Sequence, residues 1–169
     1  RAHLAEGDTR AHELIAGLVK HYLSWLWSEV KDDIHTSFSA YRSWILQDFV
    51  GTNIIGFLED RVLAEGFDAL NGENYYKWLM RHGAVPEGTR VTVGSVMVQF
   101  AYDACFAFAG GDAVSPPTPD KPLRGSPDME AGTMLRGGML LFLTYKGAVD
   151  WLFQAGCGDA LVAPLYEVL

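Results

Sequence analysis

The stretch from about residue 37 to 64 constrains this chain most, because its apolar residues leave almost no polar face. Phe38, Tyr41, Trp44, Ile45, Leu46, Phe49, Val50, Ile54, Ile55, Phe57, Leu58, Val62 and Leu63 fall on most sides of a helix. A helix that is apolar all round has to be surrounded by other elements. Its polar strip is thin, only Arg42, Ser43, Gln47 and Asp48. The spacing therefore predicts a central helix with partners packed about it. Gly51 and Gly56 lower its propensity and mark either a close backbone approach or a break.

The partners follow from periodicity. Leu14, Ile15, Leu18, Val19, Tyr22, Leu26 and Val30 recur at three- and four-residue steps, predicting a helix over 10–30 that Asp8 or Thr9 caps. Trp27 falls off that stripe and reads as a surface tryptophan or a contact with a neighbouring domain. Asn71-Gly72 predicts a turn, followed by a helix over 73–82 that Gly83 closes. Thr92 predicts the cap of a further helix over 93–108. The span 110–127 holds five of the seven prolines and reads as a long surface loop. A helix over 129–145, tight at Gly137-Gly138, and a short strand over 148–153 complete the reading. The sum is a mainly α fold of five or six helices, with at most one or two strands.

At 169 residues, with 49% apolar and 20% charged side chains, such a chain can bury one core as one domain. Its longest apolar run, 104–109, is far short of a membrane span, and its N-terminus lacks the apolar centre of a secretory signal. Thirteen basic against twenty-one acidic residues, a net charge of −8, argue against reading a nucleic-acid backbone. Cys105 and Cys157 make no disulfide framework. Cys105 reads as a buried thiol in an aromatic run, which fits a reducing, cytoplasmic setting.

Most signatures of chemistry are missing. The sequence has no GxGxxG, P-loop, HExxH or GxSxG, so it offers no standard nucleotide site, zinc site or serine nucleophile of its own. The histidines His3, His12, His21, His35 and His82 have no ligand spacing; they read as solvent-side residues, and no metal site is predicted. Asp32-Asp33 lacks the third carboxylate of a prenyl-diphosphate motif, and Glu59-Asp60 is only a pair. The closing stretch is more distinctive. Gly156-Cys157-Gly158 allows a sharp turn or a close approach. Asp159 then caps a helix from Ala160 whose Leu161, Leu165, Val168 and Leu169 share a face. A plain helical-hairpin turn accounts for the same residues.

The sequence QAGCGDALVAPLYEVL resembles the stretch by which flavin amine oxidases and phytoene desaturase-like oxidoreductases return from substrate domain to FAD-binding domain. The longer GGMLLFLTYKGAVDWLFQAGCGDALVAPLYEVL is similar to a bacterial branch of that superfamily, and GFDALNGENYYKWLMRHGA to its middle region. The resemblance covers about 66–169. It implies a helical substrate-binding domain over 1–155, and a re-entry turn and helix over 156–169 leading to a FAD-binding domain outside this chain. Gly156, Gly158 and Asp159 would then lie beside the flavin. Tyr145, Lys146, Trp151 and Gln154 would line or support a substrate cavity, with Lys146 serving in proton transfer or water activation. The implied reaction is hydride removal from an amine or an apolar unsaturated substrate. Without the resemblance, the same residues describe a free-standing helical module that binds an apolar ligand or a protein partner, with Lys146 a charge at a helix end.

Overall fold

The structure, a computed structural model, describes residues 2–144, Lys146 and Tyr166, with the side chains of 9–141 and 144 among them. It is mainly helical, as the periodicity predicts, and the described residues contain no strand, only isolated bridges. Two units divide within a helix, residues 1–136 and 137–169. The predicted strand over 148–153 lies outside the described residues.

The first helix, α1, spans Ala2–Val30. It begins well before the predicted caps Asp8 and Thr9, since residues 2–9 hold no proline. The lone Gly7 costs about 1 kcal/mol, which a helix of this length tolerates. Ser37 opens α2, Phe38–Glu59, its hydroxyl accepting the Ala40 N–H at 3.3 Å. This helix runs unbroken through both glycines. Side chains rather than another backbone account for them: Leu23 of α1 lies against Gly51, and the Trp78 and His82 rings lie against Gly56. The helix does not continue to residue 64 as predicted, because Arg61 turns left-handed (φ 51°) and redirects the chain. A single turn, α3 (Val62–Glu65), and a 3₁₀ turn, Phe67–Leu70, follow.

Next come α4 (Tyr75–His82), α5 (Pro86–Val93) and α6 (Val96–Ala104). The helix α5 was not predicted; Pro86, preset for a first helical turn, was its signal. Thr92 sits in the last turn of α5, donating to the Gly88 carbonyl at 3.3 Å, and Ser95 rather than Thr92 precedes α6. Phe106 (φ 51°) stops the chain after α6, so the predicted helix to residue 108 is cut short and the Cys105 thiol is exposed, not buried. The proline-rich loop is as predicted, but tied down: Tyr75 N–H reaches the Met129 carbonyl (2.8 Å) and Ala131 N–H the Glu73 carbonyl (2.9 Å). The helix α7 spans Ala131–Met139 and passes into a π-helical stretch, Leu140–Thr144.

Two apolar clusters hold unit 1. The larger gathers Tyr75, Trp78 and Leu79 of α4 with Val98 and Tyr102 of α6, Leu123 of the loop and Ala131 beyond it. The Tyr102 hydroxyl accepts the Tyr76 N–H (2.9 Å) and donates to Asn74 (2.7 Å), so its burial leaves no polar atom stranded. The smaller holds Leu26, Ile34 and Trp44. Trp27, read as a surface tryptophan or a contact with a neighbouring domain, packs on Trp44 of the same unit with ring centroids 4.6 Å apart; the exposed tryptophan of α1 is Trp25.

Trp44 also donates its indole N–H to the Gly88 carbonyl at 2.9 Å, which fixes the ring where a Gly88 side chain would stand. Replacing a helical glycine with alanine gains about 1 kcal/mol of propensity, whereas overpacking a core costs roughly 1–3 kcal/mol. At Gly88 overpacking wins. At Gly17 in α1, with open space beside it, propensity wins. Chemical denaturation should therefore find Gly88→Ala less stable than wild type by about 1–2 kcal/mol and Gly17→Ala more stable by several tenths.

Candidate functional site

Where α2 ends, six charged or ionisable side chains form a chain of contacts. The His82 ring, on the last turn of α4, is 4% exposed. Its Nδ1 lies 2.9 Å from Glu59 Oε2 and its Nε2 3.0 Å from Asp60 Oδ2. Carboxylates accept and do not donate, so the arrangement is satisfied when the ring carries a proton on both nitrogens. Lys20 of α1 donates to Glu59 at 2.5 Å. Arg81 grips Asp60 through both terminal nitrogens (3.1 and 2.9 Å) and reaches Glu73 at 2.8 Å. The Trp78 indole adds a bond to Asp60 at 2.7 Å. Three carboxylates thus meet Lys20, Arg81 and the imidazole.

Desolvation pushes the Asp60 carboxyl up, but the bonds from Arg81, Trp78 and His82 outweigh it and pull the group down to about 2. At Glu59 desolvation is likewise overcome by bonds from Lys20 and His82, and the group is held below the usual range. At Glu59 the cluster opens on a cleft. Glu59, with Lys20, His12, Glu13 and Arg61, lines a cleft of about 390 Å³ floored by Ala16, Gly17 and Leu58. Both ring nitrogens of His82 are engaged, which leaves neither open to a ligand. What this arrangement can do is hold Glu59 ionised at the cleft wall, beside cations that take an anionic group and carboxylates that take an ammonium group.

A second carboxyl lies in the core. Asp48, read as part of a polar strip, is fully buried between α2 and α5. Its Oδ1 faces the hydroxyls of Thr89 (3.2 Å) and Thr52 (3.5 Å), while Oδ2 has no hydrogen-bond partner. Burial pushes the group up to about 6, and the threonine hydroxyls of residues 92, 89 and 52 only partly oppose it.

The third feature is apolar. Leu14, Ile15, Leu18, Tyr22 and Trp25 on α1 are each 42–70% exposed; at 100° per residue they fill a single arc beside the buried one. Leu46, Val50 and Ile54 are likewise exposed on α2. Val19, Tyr22, Leu23, Leu46, Gln47, Val50, Gly51 and Ile54 line a groove of about 320 Å³ between the two helices.

Of the site residues read from the resemblance, Lys146 is exposed; Tyr145, Trp151, Gln154, Gly156, Gly158 and Asp159 lie outside the described residues. The charged cluster was missed. His82 was read as a solvent-side residue, and burial overturns that; Glu59-Asp60, set aside as a mere pair, supplies its two acceptors. Among the described residues no group of three or more His, Cys, Asp and Glu side chains is arranged to hold a metal ion, and no helix is long and apolar enough to cross a membrane. Compared with protein-family models, curated proteins and solved structures, the chain matches none.

The two carboxyl sites titrate in opposite senses. Asp60 is depressed, so its contribution is complete above its unfolded value of 3.8 and fades as pH falls toward about 2. Asp60→Asn should be less stable than wild type at neutral pH, and the deficit should shrink as unfolding is followed from pH 4 to 2. Asp48 is raised, so between 3.8 and about 6 the folded chain keeps a proton that the unfolded chain has lost. Stability falls as pH rises through that window, by on the order of 3 kcal/mol. Asp48→Asn should remove this slope, leaving the variant the more stable protein above pH 6 in urea titrations.

Proposed function

We propose that the chain is the helical, substrate-side segment of a flavin-dependent oxidoreductase of the amine oxidase or phytoene desaturase-like kind. The observation that carries this reading is the sequence QAGCGDALVAPLYEVL with the YKGA and Trp151 positions before it. A mainly helical fold is what such a segment requires. The described residues contain neither a strand nor a glycine-rich phosphate turn, so they make no cradle for a dinucleotide. On this reading the flavin is held by another part of the protein. The residues of this chain bind and orient an amine or apolar substrate.

Two surfaces suit that work. The cleft beside Glu59 and Glu13 offers carboxylates to an ammonium group, and the α1–α2 groove offers apolar walls to a hydrocarbon. The groove also favours a second reading, a helical module that binds an apolar ligand or a protein partner without catalysis.

The visible absorption spectrum of the natural protein, purified from its complete reading frame, separates the two. A flavin spectrum that stays with the protein through gel filtration is the expected result. A colourless, folded protein that takes up no added FAD would end the oxidoreductase reading and leave the binding module.

A further inference from the structure

The exposed apolar face of α1 and α2 is at the upper limit of what a solitary folded unit carries. Five side chains from Leu14 to Trp25 and three from Leu46 to Ile54 are each between 40 and 70% exposed. Taking roughly 200 Å² for an aromatic side chain and about two-thirds of that for an aliphatic one, they leave on the order of 600 Å² open. The largest apolar patch on a typical monomer is roughly 300–600 Å², whereas each side of a standard interface gives about 800 Å².

The face carries little charge. Within the exposed arc of α1 from residue 14 to 25 there is no charged residue; on α2, Arg42 stands four residues before Leu46 at the end of the row, and Ser43 and Gln47 are the row's uncharged polar neighbours. A chain of net charge −8 repels its own copies wherever acidic surfaces meet. This patch is one surface it can present to itself without that cost. The rim is polar and already engaged: the Tyr22 hydroxyl bonds to Gln47, and Lys20 to Glu59.

We propose that this face is the docking surface for a second copy of the chain. Two α1–α2 pairs related by a two-fold axis bury the groove of each against the Leu18 and Tyr22 side of the other, as a four-helix layer. A two-fold axis lets one patch serve as both halves of the contact, and knobs from α1 fill a groove about 320 Å³ in volume. The proposal rests on the exposed face; it takes the groove from the substrate role offered above, leaves the cleft beside Glu59 for that role, and stands whether or not the protein binds flavin.

Sedimentation velocity of the full 169-residue chain at tens of micromolar is the test. The expected species has twice the 18.6 kDa chain mass. Leu18→Glu and Val50→Glu place charges on exposed positions of the face; they should weaken association at least tenfold while circular dichroism shows unchanged helix content. Phe100→Glu, 67% exposed on α6 and outside the face, should leave the dimer intact. A monomeric wild type at these concentrations overturns the proposal, and so does a dimer that both α1–α2 variants leave unchanged. A monomer that binds an apolar fluorescent probe, and loses it in Leu18→Glu, assigns the groove to another partner and equally overturns it.

Discussion

The contact on which unit 1 most depends is the seating of α4 on the last turns of α2. Gly56 has no side chain, and the Trp78 and His82 rings occupy the space one would fill. That proximity brings both ring nitrogens of His82, and the Trp78 indole, within bonding distance of Glu59 and Asp60. A bulkier residue would lift α4 by the width of a methyl group and break three part-buried polar contacts at once. Charged groups left without their partners there are destabilising, the less so where solvent reaches them, as at Glu59. The apolar contact and the ionic cluster therefore stand or fall together.

The chain leaves α2 at the same junction. Glu59 and Asp60 are still in helical register, the Asp60 N–H donating to the Gly56 carbonyl at 2.9 Å, and the left-handed Arg61 redirects the chain immediately after them, at a cost of about 1–2 kcal/mol for a residue with a side chain. The cluster holds it in place: Asp60 accepts from Arg81, Trp78 and His82 immediately before the bend. Here a strained backbone position and a dense set of charge-assisted bonds adjoin one cleft, which is the pattern of a site rather than of a plain turn.

The helical character was legible because periodicity reports how a segment meets its surroundings. The α2 stretch read as central, and it does pack on α1, α4 and α5. What periodicity does not report is which neighbour supplies each contact. Trp27 lies off the stripe of Leu14 and Leu18, yet it is Trp27 that meets Trp44, while Leu14 and Leu18 face outward. Asp48 sits among polar residues in sequence, but the side that carries it turns toward Thr89 and Thr92 of α5, a helix whose only local sign was Pro86. His82 was invisible for the same reason. Its partners are 22 and 23 residues away and come together only because a glycine permits two helices to touch. Of the residues that the resemblance singles out, only Lys146 falls within the described chain, and it is exposed.

The two carboxyl sites divide the labour between stability and binding. Asp48 faces no cation; its nearest polar neighbours are threonine hydroxyls, and an oxygen without a partner in the core is a standing cost that apolar packing around Trp44 and Ile55 has to offset. Glu59 and Asp60, by contrast, are surrounded by donors and kept ionised where the cleft opens. With Glu59 and Asp60 depressed and Asp48 raised, ionising Asp48 destabilises the fold as pH rises above the mildly acidic range.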